Sequence, residues 1–81
     1  MTADRTLTTA GTVAVIGEHA RVRGYALAGA TVLAADDADA ARRAWGSLDE
    51  HTALVILTSG AAAHLGAELA AGWPLTAVIA P

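Results

Sequence analysis

TVAVIGEHARVRGYALAG, residues 12–29, opens on an apolar, β-branched run, Thr12 to Ile16, which Gly17 brings to a stop. The run shows no polar alternation, so it reads as a strand covered on both faces, the position of a central strand in a parallel sheet. A polar loop, Glu18-His19-Ala20-Arg21, follows it. From Arg21 to Ala28 the spacing predicts a short helix: Val22, Tyr25, Ala26 and Gly29 recur at threes and fours on one face, and Arg21 and Arg23 point away. Gly24 inside that helix costs about 1 kcal/mol relative to alanine. It marks either a close approach of helix to sheet or a short, irregular helix. An apolar strand, a glycine and a helix form the opening of a parallel α/β sheet.

The rest of the chain repeats the plan. Thr31-Val32-Leu33-Ala34 is a second strand, and the helix between supplies the right-handed crossover that joins two parallel strands. Asp36 and Asp37 stand where an N-cap is wanted, and Asp39 lies in the first turn, favoured by the helix dipole. The second helix runs to about Ser47, with Ala38, Ala41, Trp45 and Leu48 as its buried stripe and Ala44 beside it. Ala53-Leu54-Val55-Ile56-Leu57-Thr58 is the most apolar strand and belongs in the sheet centre. Ser59 is the expected N-cap of a third helix whose stripe is Ala61, Ala62, Leu65 and Leu69. Gly72 and Pro74 end it, and Thr76 to Ala80 is the fourth strand. The sequence therefore predicts an α/β fold: a four-stranded parallel sheet in the order 2-1-3-4, a flavodoxin-like three-layer α/β/α arrangement. The polar, Thr-rich residues 1–11 read as a flexible leader and 12–81 as one domain.

In this strand order the topological switch point lies between the carboxyl ends of strands one and three. Gly17-Glu18-His19 should therefore face Thr58-Ser59-Gly60.

Length and composition narrow the function. A chain of 81 residues makes one domain and buries only roughly 60 % of its unfolded surface. Much of its 54 % apolar content is alanine, so Trp45, Trp73, Tyr25 and the Leu/Ile/Val strands are expected to supply most of the core. The net charge is −3 and there is no lysine; the cations are Arg5, Arg21, Arg23, Arg42 and Arg43. Such a balance excludes the basic face that nucleic acid requires and a polybasic membrane anchor. No cysteine is present, and no run approaches the ~18 apolar residues of a membrane span. A cytoplasmic protein is expected.

Motifs for chemistry are sparse. The first turn lacks G-x-G-x-x-G, and without lysine there is no P-loop and no phosphoacceptor receiver site. His19, His51 and His64 fall in three different elements with no metal-ligand spacing. Ser59 lacks the G-x-S-x-G elbow of a nucleophile. Cofactors and metals are not expected, nor is catalysis.

Val13-Ala14-Val15-Ile16-Gly17-Glu18 followed by Gly24-Tyr25-Ala26-Leu27-Ala28-Gly29 resembles the F subunit of the V-type and archaeal A-type ATPases. That family opens with an apolar strand, a Gly-acidic pair and Gly-Phe/Tyr-x-Leu-x-Gly. Leu54 to Thr58 is similar to its third strand, and Pro74-Leu75-Thr76-Ala77-Val78-Ile79-Ala80-Pro81 to its closing Pro-strand-Pro. The match spans residues 12–81 in order. It is to a shortened form, since family members usually continue past the closing proline into a C-terminal helical tail and this sequence runs to Pro81. Ser59 also replaces the acidic residue that often follows the third strand. The resemblance implies a non-catalytic central-stalk (rotor) component of a proton- or sodium-translocating ATPase, cytoplasmic and peripheral to a membrane complex. It would bind the coiled-coil rotor subunit beside the ATPase head, without entering the membrane and without nucleic acid. By matching positions, Glu18, His19, Arg21, Arg23, Gly24 and Tyr25 are its expected partner contacts. Two alternatives stand beside it: a stand-alone flavodoxin-like interaction module or homo-oligomer, and a binder of small anions or nucleotides at the Gly17/Ser59 crevice.

Overall fold

Two apolar runs, each too short for a helix and too apolar for an edge, form the middle of the sheet: β1 (Thr12–Gly17) and β3 (Thr52–Thr58). β2 (Thr31–Ala34) flanks β1 and β4 (Leu75–Ile79) flanks β3, so the order is β2-β1-β3-β4, all parallel. The flavodoxin-like arrangement expected from the sequence is the one observed. The computed structural model describes residues 11–71 and 74–79. The expected leader up to residue 10, the Gly72 stop, the core role of Trp73 and the end of the last strand at Ala80 lie outside the described residues.

The parallel register sorts the side chains into two faces. Ala14 and Ile16 pair with Val55 and Leu57, and Ile16 with Leu33. On this face lie both longer helices, α2 (Ala38–Gly46) and α3 (Ser59–Leu65), which bring Ala41, Ala44, Ala61 and Leu65 into one buried cluster with the strand residues. The opposite face carries Val13, Val15 and Gly17 of β1. There a single turn of helix, α1 (His19–Val22), lays the fully buried Val22 over the end of β1.

The core is made of small aliphatic residues, contrary to the expectation from the aromatics. Ile16, Leu57, Leu65, Val15, Val22 and Val55 are its largest fully buried apolar side chains, while Trp45 only packs against the cluster from outside and Tyr25 is half-buried. The α2 stripe is Ala41 and Ala44, with Trp45 and Leu48 half-buried beside it. Alanines along a helix permit close approach to the sheet but remove little apolar surface from water, so the central strands carry most of the hydrophobic stabilisation.

Three boundaries differ from the sequence reading. The first helix starts two residues earlier, at His19, and from Arg23 to Ala28 it tightens into a 3-10 segment. A Cβ at Gly24 would meet nothing within 4 Å, so this glycine marks an irregular helix and not a close approach. The third helix is capped by Thr58, whose side chain accepts from the Ala61 N–H; Ser59 is the first helical residue and is exposed. α3 also ends sooner than expected, at Gly66, whose positive φ of 40° breaks the helix and leads into a second 3-10 segment, Gly66–Ala71. The middle helix follows expectation: Asp37 is the N-cap, its Oδ1 accepting from the Ala40 N–H at 2.7 Å.

Candidate functional site: a carboxylate in the switch-point crevice

β1 and β3 are neighbours whose crossovers leave in opposite directions, so the loops after them part and leave a crevice. Gly17-Glu18 lines one side and Thr58-Ser59-Gly60 the other, as the strand order requires. Gly17 has no side chain because there is no room for one: a Cβ would collide with the Thr58 methyl and lie 2.7 Å from its Oγ1 and 2.9 Å from Val22 Cγ1. Thr58 is 1 % exposed and fills that space. Its hydroxyl oxygen receives the Ala61 N–H at 3.2 Å, which satisfies an N–H at the start of α3 and leaves the hydroxyl proton free.

Glu18 turns its side chain into the crevice. Its Oε2 occupies the place a Gly60 Cβ would take, and its Oε1 is enclosed with no hydrogen-bond partner among the described residues. The carboxyl pKa is held below its ordinary value. The largest cause is the neighbouring Thr58 hydroxyl. The backbone N–H of Glu18 follows, burial opposes the shift, and Arg21 and His64 add favourable charge interaction. The main-chain carbonyl of Glu18 meanwhile accepts from Arg21 and Val22 and starts α1.

A second carboxylate ties the neighbouring loop. Asp36, just beyond β2, accepts the His19 N–H at 3.0 Å, and the Ala35 N–H donates to the Gly17 carbonyl at 2.8 Å. The turn after β1 is therefore anchored to β2 through Asp36 and to β3 through Thr58.

Of the residues expected at a partner surface, His19, Arg21, Arg23 and Gly24 are exposed, Tyr25 is half-buried and Glu18 is turned inward. All six lie on the turn and helix after β1. Sequence reasoning set Thr58 and Gly60 opposite the Gly17 turn but missed that Glu18 turns in against Gly60 and that Asp36, offered as a helix cap, instead accepts the His19 N–H while Asp37 alone caps α2. The strand order alone signals that Thr58 and Gly60 meet the Gly17 turn. His51 is at the other end of the sheet and joins none of them; His64 reaches the crevice only through its charge. Among the described residues no group of three His, Asp or Glu side chains could hold a metal ion.

A carboxylate that stays ionised at neutral pH in the crevice repels an incoming phosphate. Comparison with protein-family models, curated proteins and solved structures finds no match. The chemistry of the crevice is thus read from its own groups. Glu18 is too acidic to donate a proton near neutrality. The Thr58 oxygen is engaged by the Ala61 N–H at the start of α3. The arrangement joins two crossovers.

A cavity of about 220 Å³ at the amino end of the sheet, between Thr12, Thr31, Ser47, Asp49 and Thr52, is smaller than ordinary ligand pockets. Its one charged group, Asp49, already accepts the His51 N–H at 2.9 Å. It also sits at the end opposite to that where sheets of this kind bind ligands.

The Glu18 contact predicts a pH signature. A carboxyl whose folded pKa lies below its unfolded value, about 4.3, contributes stability that is present above that value. The contribution is lost as pH falls through the folded pKa. Glu18→Gln should therefore unfold at a lower temperature than the parent at pH 7, and the gap should close as both are titrated from pH 5 downward. Thermal melts across that range check this; a gap that widens in acid would mean the carboxyl is not held ionised by its surroundings.

Proposed function

We propose that this domain is a non-catalytic protein-interaction module, acting as the central-stalk component that its sequence resembles. In that role it would bind the coiled-coil subunit of a V/A-type rotary ATPase, cytoplasmic and peripheral to the membrane complex. One observation carries the reading: the place where a fold of this order would receive a small ligand is filled by the chain's own Glu18 carboxylate against Gly60. What remains at that end is an exposed rim. Arg21 and Arg23 stand out from a turn anchored to β2 and β3, which suits docking onto another protein more than enclosing a substrate. Among the described residues no helix is long and apolar enough to cross a membrane.

The test mixes the purified full chain with the coiled-coil stalk subunit of a rotary ATPase from the same source and follows binding by calorimetry. Saturable one-to-one binding is expected, and the paired substitution Arg21→Ala with Arg23→Ala should weaken it by about tenfold, mostly through slower association. Absence of binding at concentrations up to about 100 µM would remove the stalk assignment.

The anion or nucleotide alternative is not favoured by a crevice that holds a carboxylate. The stand-alone module, with association between copies, is favoured by a different surface at the far edge of the sheet.

A further inference from the structure

β4 is an edge strand of unusual character. All four residues from Leu75 to Val78 are exposed, and among the described residues nothing pairs with its outer side. Leu75 is 64 % and Val78 52 % exposed, on opposite faces of the sheet, and with Val13 they make up the exposed large apolar side chains among the described residues. Edge strands are ordinarily protected by lysine, inward charge, a bulge or proline. Leu-Thr-Ala-Val-Ile has no charge and no proline within it, is rich in β-branched residues, and keeps an unbroken register with β3 from Leu75 to Ile79. A free row of N–H and C=O groups on such a strand is a template for another strand.

We infer that β4 pairs antiparallel with β4 of a second copy of this chain, joining two four-stranded sheets into one of eight about a two-fold axis at Ala77. The strand is self-complementary in this arrangement. Ala77 meets Ala77 of the second copy on the axis, Leu75 meets Ile79 on one face, and Thr76 meets Val78 on the other. Every facing pair is apolar or β-branched, the kind that stabilises neighbouring strands. β4 contributes none of the net charge of −3, so repulsion between the copies is spread over distance and screened at physiological salt. The two-fold runs perpendicular to the sheet, so α2 and α3 of both copies stay on the same side. The surface that pairs lies at the β4 edge of the sheet, away from the Arg21–Arg23 rim over β1 and β2, so the inference does not rest on the stalk reading. A five-residue edge contact falls below the ~1,200 Å² typical of tight complexes. The dimer is therefore expected to dissociate on the order of 1–100 µM.

The experiment is sedimentation velocity on the full chain across about 1–300 µM, together with two variants. The parent should move from monomer to dimer in that range. Val78→Lys places a charge opposite Thr76 and near its own symmetry mate; the position is half-exposed, so the fold should persist by circular dichroism while the dissociation constant rises about tenfold or more. Adding Thr76→Glu to Val78→Lys sets opposite charges face to face across the axis. It should restore the dimer to within about threefold of the parent. A parent that sediments as a monomer throughout, or a dimer that Val78→Lys leaves unchanged, would overturn the assignment. Hydrogen exchange gives an independent reading that does not depend on the variants. Protection of the Leu75–Ile79 amides that grows with protein concentration supports the pairing. Equal protection in the dilute monomer would show that the edge is already covered within a single chain, and would overturn it.

Discussion

Gly17→Ala is expected to lower the thermal unfolding midpoint by roughly 10–20 °C. The added carbon would enter a space already held by the Thr58 side chain, with Thr58 Oγ1 at 2.7 Å and Val22 Cγ1 at 2.9 Å from it. Neither neighbour can retreat cheaply. Thr58 is fixed by the Ala61 N–H it receives and by a β-branched χ1 with little freedom, and Val22 is fully buried. Backbone must therefore shift at the junction of β1 and β3, for about 2–3 kcal/mol. The mechanism has a signature. Thr58→Ser keeps the capping oxygen and removes the methyl that collides, so in a Thr58→Ser background the same Gly17→Ala change should cost about 1 kcal/mol less. A double-mutant cycle by urea denaturation measures this. An additive cycle would mean that the glycine serves something other than room for Thr58.

Leu57→Ala is expected to remove about 4–5 kcal/mol, at the upper end of the range for truncating a buried leucine. Leu57 is fully buried in an interior strand, in a cluster that holds Ile16, Val55 and Leu65 together with Ala14, Ala35, Ala41, Ala44 and Ala61. A cavity left by leucine is normally reduced when longer neighbours swing into it. Ile16 and Leu65 can shift toward it, but the five alanines have no side-chain rotamer to change, so much of the void would persist, and the cost rises with the void. Domains of this length are stable by roughly 4–12 kcal/mol, so the variant should sit at the edge of folding at room temperature. Leu75→Ala, on the exposed edge, should fall within about 0.5 kcal/mol of the parent in dilute solution. Urea midpoints for the pair check both. A loss under about 2 kcal/mol for Leu57→Ala would mean that the helices close over the gap.

Much of the fold is legible from local pattern because local pattern determines it. Thr12–Ile16 and Leu54–Leu57 are apolar without alternation, and strands of that kind must lie inside a sheet covered on both sides. Asp37 caps its helix through a bond to a residue three positions on. What is not legible depends on distant residues. Gly17 reads locally as a sharp exit from a strand; its reason is Thr58, 41 positions later. Ser59 and Thr58 are adjacent hydroxyl residues of nearly equal capping strength. The choice between them follows from where β3 stops, which depends on pairing with β1 and β4. The 3-10 segments after α1 and α3 arise where Gly24 and Gly66 weaken α-helical preference, and propensity gives the weakness without giving the geometry. The crevice is legible as a place, from strand order. That Glu18 turns into it requires the absence of a side chain at Gly60, a property of two residues 42 apart in sequence.

The interior pair β1–β3 also bears on how the chain first acquires its shape. Thr12 aligns with Thr52 and Ile16 with Leu57, so the strands at the heart of the sheet are supplied by opposite halves of the sequence. A nascent chain that has emerged only as far as α2 owns β1 and β2, with one edge of β1 still vacant and no Val55 or Leu57 to fill the core. Such a βαβ fragment has little to hold it together. Closing the roughly forty-residue loop between β1 and β3 costs entropy before any burial repays it. Formation of the domain during synthesis should therefore be late and abrupt, beginning once β3 is free to pair. Until then, the Thr12–Ile16 strand would depend on whatever shields hydrophobic segments as they leave the ribosome.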